Sequence, residues 1–190
     1  MLNSKFTQLL AVALPGPELQ RQYYMHAFDI ADPVMPEGFE DYLPVVLDLI
    51  KASGVTEGVG YLTVDEKMLK KGETQRKPKP HVDGCYVPQR RTWGHGGGGG
   101  WNHSCNIIPG RMPVIVASNF AACKAWLGEF DAEPKSDGDL SHLELGEGTL
   151  LEPNMGYLLS PDCVHESLPM PHDVDRTFIR IAMPVGSYVN

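Results

Sequence analysis

The sequence predicts a mainly β protein, an antiparallel double sheet of the jelly-roll or similar barrel kind, with one amphipathic helix near the N-terminus packed on the sheet. Three observations point there. Glycine and proline are frequent, 20 and 16 of 190 residues, and they cut the chain into short elements. Several short runs carry the two-residue alternation or the β-branched content of strands, whereas a single segment carries a helical period. Strands do not alternate with helices, which disfavours a parallel sheet. The length suits one domain over residues 1–190, large enough to bury a core without disulfides.

The elements follow in order. The opening stretch MLNSKFTQLLAVALPGPELQ places Lys5 before an apolar run ending in Ala11-Val12-Ala13. That run is too short and too polar, with Thr7 and Gln8, for the apolar region of a signal peptide. With no run of about 20 apolar residues in the chain, a cytoplasmic location is expected. Residues 39–52, FEDYLPVVLDLIKA, set Phe39, Tyr42, Leu43, Val46, Leu47 and Ile50 at helical spacing. Gly54 stands where a C-terminal cap belongs, and Pro44 fits if it lies in the first turn.

Beyond this helix the period becomes that of strands. GYLTVDEK (60–67) alternates, MPVIVASNF (112–120) is β-branched, and HLELGEGTLLEP (142–153) reads as two extended pieces around a glycine turn. GYLLSP (156–161) and RTFIRIAMP (176–184) complete the strand set. NFAACKAWLGEF (119–130) is open between a helix and a strand pair. SDGDL (136–140) reads as a solvated turn, and GHGGGGG (94–100), flanked by Trp93 and Trp101, reads either as a loose surface loop or as a lid.

Charge and cysteine content narrow the function. A formal net charge of −8 disfavours broad nucleic-acid binding. The basic run KMLKKGETQRKPK (67–79), with Arg90 and Arg91 beyond it, is a solvated loop or a rim that steers an anionic substrate. Cys85, Cys105, Cys123 and Cys163 have no CxxC spacing and read as free thiols in a reducing compartment.

The segment KPKPHVDGCY (77–86) carries the chemistry. Its prolines forbid helix, and residues two apart in an extended segment share a face, so His81 and Asp83 project together. Two histidines and one carboxylate on one face of a metal leave its other positions open. A third ligand must come from another strand, and His165, closing GYLLSPDCVHESLP, has the best context. His172 lies in a turn, His142 precedes a polar stretch, His95 and His103 adjoin the glycine run, and His26 is a further competitor.

PHVDGCY, GYLLSPDCVHESLP and RTFIRIAMP together resemble the HxD…H…R signature of the Fe(II)/2-oxoglutarate-dependent dioxygenases, above all their prolyl-hydroxylase-like branch. The resemblance covers about residues 77–183 and implies a double-stranded β-helix. It implies that His81, Asp83 and His165 hold Fe(II). Arg176 is then expected to bind the distal carboxylate of 2-oxoglutarate, for which a planar guanidinium is suited. Arg180, four residues on along the same face, is the other candidate anchor or a substrate-binding residue. The implied reaction hydroxylates a substrate C–H bond with O2 while 2-oxoglutarate is decarboxylated to succinate. Two readings compete: a cupin-type metalloenzyme that does not use 2-oxoglutarate, and a noncatalytic jelly-roll binding module. Because ligation needs neutral imidazoles, metal binding is expected to weaken as pH falls through the histidine range.

Overall fold

The computed structural model describes residues 1–17, 20–83, 112–135 and 138–188. The glycine run, Trp93, Trp101, His95, His103, Arg90, Arg91, Cys85 and Cys105 all lie outside the described residues. The chain is mainly β, with antiparallel sheets and one short helix.

The largest sheet joins β2 (Phe6–Ala11), β9 (Met155–Leu159), β5 (Val114–Ser118), β11 (Val174–Ala182), β4 (Val59–Leu69) and β3 (Gln22–Asp29), in that spatial order. A smaller sheet joins β10 (Val164–Ser167), β6 (Cys123–Trp126) and β8 (Thr149–Leu150). β1 (Leu2–Ser4) and β7 (Gly128–Phe130) pair as a separate ribbon. His81 bridges His165 on one side and Asp139 on the other, so the segment around His81 extends the smaller sheet past β10.

The pairings nest. β4 pairs with β11, the His81 segment with β10, β5 with β9, and β6 with β8. First meets last and the innermost two meet each other, as in one long hairpin rolled across two layers. Between the layers lies a core of Val114, Val116, Ala125, Leu159, Phe178 and Ala182. Alternation along β11 divides its side chains. Phe178 and Ala182 enter this inner core, while Ile179 and Ile181 face the opposite side and pack with the helix.

That helix, α1, runs Leu43–Ser53 after a single 3-10 turn at Glu40–Tyr42. Pro44 sits in its first turn, and Gly54 ends it in the left-handed region at φ 75°, its N–H donating to Lys51 O. The buried stripe is Tyr42, Val45, Val46, Leu49 and Ile50, while Leu47 is 45% exposed. The sequence pattern places Leu47 inside because it counts the helical period from Phe39. The tighter 3-10 turn breaks that phase, and the count restarts at Leu43.

Other expectations divide similarly. The 119–130 segment is two strands, β6 and β7, which pair with different partners rather than with each other. Of the two extended pieces expected over 142–153, Thr149–Leu150 forms a strand, and the residues before it are turns and bends. The N-terminal stretch forms β1 and β2, which the sequence pattern did not announce. Among the described residues, no helix is long and apolar enough to cross a membrane.

A buried ionic knot ties α1 to the sheet. Glu66 of β4, fully buried, accepts from Tyr42 Oη at 2.7 Å and from Arg21 Nη2 at 2.7 Å. Arg21 also holds Asp41 at 2.8 Å and donates to Gly38 O at 2.6 Å. Burial alone pushes the Glu66 carboxyl up, but the Arg21 and Tyr42 hydrogen bonds outweigh it, and the net shift is downward. Glu66 therefore stabilises the fold above the ordinary carboxylate range, and this contribution is lost as pH falls.

Removing one partner of this knot is expected to strand a buried charge. Arg21→Met should cost about 3 kcal/mol. Asp41→Asn, at a carboxylate 46% exposed, should cost under about 1 kcal/mol. Urea unfolding of both variants measures the difference, and equal costs would show that the Glu66 charge is not held by Arg21.

Candidate metal centre

The site begins with one antiparallel bridge. His81 N–H donates to His165 O and His165 N–H donates to His81 O, both at 2.9 Å. Residues that exchange both bonds lie directly opposite one another and send their side chains to the same face. The two imidazoles thus meet, with ring centroids 4.5 Å apart. Val82 and Val164, next along each strand, point the other way into a separate cluster with Leu2, Trp126 and Leu140. Alternation then returns Asp83 to the side of His81, as the HxD spacing predicts.

The tautomers are set by the backbone. His81 Nδ1 donates to Lys79 O at 2.8 Å, and His165 Nδ1 donates to Cys163 O at 3.0 Å. A carbonyl can only accept, so each Nδ1 carries the proton and each Nε2 keeps its lone pair. Both Nε2 atoms face Asp83 Oδ1, at 3.9 Å from His81 and 3.8 Å from His165. The potential ligand atoms of His81, Asp83 and His165 all lie within 4.8 Å of one another, so the cluster can hold a metal ion.

Electrostatics keep these donors ready. Burial, reinforced by the His165 ring, lowers the His81 pKa to about 3, so His81 stays neutral far below the ordinary histidine range. The share of acid sensitivity expected from His81 is accordingly displaced to lower pH. Burial opposes the Asp83 charge, but Arg180 and the two imidazoles overcome it and hold the carboxyl well below its usual range. Arg180 Nε donates to Asp83 Oδ2 at 2.9 Å, which leaves Oδ1 for the metal position. Met25, in the left-handed region at φ 57° within an irregularity of β3, places its sulfur 3.8 Å from Arg180 Nη1.

Arg176 is differently employed. It is 1% exposed, and its Nε donates to Ser118 Oγ at 2.9 Å. Its Nη1 is buried with no hydrogen-bond partner. Burial lowers its pKa to about 10. Arg176, Arg180 and the three residues of the candidate triad line one pocket, walled also by Val116, Cys123 and Phe178. Of the competing histidines, His142 and His172 are exposed, and His26 bonds to Val34 O at 2.8 Å, away from the triad. Cys123 and Cys163 are free thiols, and burial pushes Cys123 up to about 12.

The segment read as a solvated turn is part of the scaffold. Val82 N–H donates to Gly138 O at 3.0 Å, and Leu140 N–H, on a fully buried residue, donates to Pro80 O at 2.8 Å. Gly138 has φ 83°, and a Cβ there would overlap Val82 O. The Asp-Gly composition signals a turn but carries no information about the strand that the turn braces. The N-terminus contributes likewise. Ser4 Oγ accepts from Val164 N–H at 2.8 Å and donates to Trp126 O, fixing the start of β10 beside His165.

No protein-family model and no curated protein matches the chain.

Three substitutions probe the triad and its support. Arg180→Gln should weaken Zn(II) binding about tenfold by freeing the Asp83 carboxylate, while His165→Ala should remove it. Gly138→Ala should weaken it too and destabilise the fold by about 2 kcal/mol, because both the left-handed φ and the Val82 contact oppose a side chain. Competition with a chelating dye and urea unfolding read these effects. Unchanged affinity in Arg180→Gln would mean that the Asp83 orientation does not depend on Arg180.

Proposed function

We propose that this chain is an Fe(II)- and 2-oxoglutarate-dependent oxygenase that hydroxylates a C–H bond of its substrate. The observation that carries the reading is the pairing of two features in one pocket. Two imidazole lone pairs and a carboxylate oxygen converge on a point, and a buried guanidinium on the facing sheet has an unpartnered N–H edge. The nested strand pairing, alternating between two layers, supports a double-stranded β-helix as the architecture behind it.

The donor set suits Fe(II). Two neutral imidazoles and one carboxylate on one face leave the remaining coordination positions free. His81, Asp83 and His165 would hold the ion. When bound, Fe(II) supplies the redox centre for the overall conversion of substrate C–H, O2 and 2-oxoglutarate into substrate C–OH, succinate and CO2. The chain does the rest. Arg180 fixes which oxygen of Asp83 faces the ion, and the Lys79 and Cys163 carbonyls keep both imidazoles in the ligating tautomer.

Arg176 anchors the distal carboxylate of 2-oxoglutarate. Arg180 is committed to Asp83 by a 2.9 Å hydrogen bond, whereas Arg176 Nη1 has no acceptor, so a bound carboxylate would relieve a buried donor. Val116 and Phe178 supply apolar wall to the same pocket, where they would exclude water from the cosubstrate. A metal site without a 2-oxo acid, as in a cupin-type enzyme, would leave Arg176 buried for no purpose.

The test is anaerobic titration of the Fe(II)-loaded protein with 2-oxoglutarate. A visible charge-transfer absorption should appear in the wild type, be absent in His165→Ala, and require about tenfold or more 2-oxoglutarate in Arg176→Gln. An Fe(II) protein that shows no such absorption would overturn the cosubstrate assignment. Loss of 2-oxoglutarate affinity in Arg180→Gln with full affinity in Arg176→Gln would move the anchor to Arg180.

A further inference from the structure

Arg76 is the guanidinium in the pocket that neither the metal ligands nor the cosubstrate anchor accounts for. It stands five residues before His81, joined to it by Lys77, Pro78, Lys79 and Pro80. Its guanidinium lies over two rings, Phe178 at 5.4 Å and Tyr24 at 5.9 Å. Its side chain is 15% exposed. Among the described residues the one carboxylate beside it is Asp65, with Nη1 to Oδ2 at 3.6 Å, too long for a hydrogen bond. Asp65 is shared with Lys67 at 3.4 Å. The guanidinium therefore lies over two aromatic rings at the wall of the metal pocket, and among the described residues its N–H groups have the 3.6 Å ion pair with Asp65 but no hydrogen bond.

Arg76 and Arg180 differ in how closely an anion matches them. Asp83 takes Arg180 at 2.9 Å, whereas Asp65, which Arg76 reaches only at 3.6 Å, is shared with Lys67 at 3.4 Å. A largely buried cation without a close anion is costly unless one joins it.

We infer that Arg76 is a substrate-binding residue, and that the substrate carries an oxyanion, a carboxylate or a phosphate, which pairs with the Arg76 edge. The inference rests on the oxygenase reading for what happens to the substrate, but the anion site itself stands on Arg76. The pocket's other two arginines already have roles under that reading. Arg180 holds Asp83, and Arg176 lies deeper, bonded to Ser118. Arg76 reaches the pocket from the chain segment that leads into His81, so an anion there places the rest of a small substrate beside the triad. A carboxylate or phosphate matches the planar fork, and the flanking rings restrict the guanidinium before the ligand arrives.

The experiment uses Zn(II)-loaded protein with saturating 2-oxoglutarate, titrated calorimetrically with inorganic phosphate and, separately, with acetate. The wild type should bind at least one of the two, and the preferred anion tells whether the substrate group is a phosphate or a carboxylate. Arg76→Gln should bind it about tenfold more weakly or worse, with 2-oxoglutarate affinity unchanged. Arg76→Lys, which keeps the charge and loses the fork, should fall between, and it serves as the test if Arg76→Gln does not fold. Neither anion binding to the wild type, anion binding indifferent to both variants, or loss of 2-oxoglutarate affinity in place of anion affinity would each overturn the assignment. Anion binding through Arg76 in a wild type that takes no 2-oxoglutarate would overturn the cosubstrate reading and leave the anion site standing.

Discussion

The reciprocal pair of hydrogen bonds between the His81 and His165 backbones is the constraint on which the rest of the site depends. Two histidines separated by 84 positions of chain become neighbours because their amides and carbonyls exchange bonds across one antiparallel bridge. The same bridge decides the face of every adjacent side chain. A slip of one residue would turn both imidazoles into the Val82–Val164 cluster and carry those valines into the pocket. The apolar packing of Val82 and Val164 with Leu2, Trp126 and Leu140 therefore protects the register of the ligands without touching them.

Register is held from outside as well. Gly138 and Leu140 pair with the segment carrying His81 and Asp83, and Ser4 ties the first residue of β10 to β6. These contacts come from parts of the chain remote in sequence. Long-range closure of this kind is expensive in chain entropy, and the nested pairing spreads it over four successive strand pairs. Each inner pair is aligned by the one outside it.

How much of this was legible in the sequence depended on the range of the interaction. The facing of His81 and Asp83 follows from strand alternation over three residues, and the β4, β5, β9 and β11 segments are visible in their own composition. The helix was legible in place but not in phase, because a 3-10 turn before Pro44 shifts the stripe from Leu47 to Leu49. β1, β2 and β3 were not foreseen, since their exposed and half-buried residues follow no clean alternation and Met25 interrupts β3. Nor does a sequence separate Arg176 from Arg180. Both are strand residues on one face, and what distinguishes them is Asp83, which arrives from the other sheet.

Division of labour between the layers follows from these placements. The smaller sheet presents the candidate triad, while β11, paired on both edges by β4 and β5, presents the cations. A strand fixed on both sides cannot shift along its axis without breaking two ladders, so the spacing of Arg176, Phe178 and Arg180 is a property of the backbone. At about 3.3 Å rise per residue, the two arginine Cα atoms stand about 13 Å apart. One end of that interval meets the Asp83 carboxylate and the other ends in a buried guanidinium whose Nη1 has no hydrogen-bond partner. Arg76, stacked on the Phe178 ring that sits midway, enters the same line from the side. Arg76 and Arg176 both lie over the Phe178 ring, at 5.4 and 5.7 Å, and like charges this close repel one another. An anion entering between them would offset that repulsion, since Asp83 is taken by Arg180 and Asp65 stands 3.6 Å from Arg76.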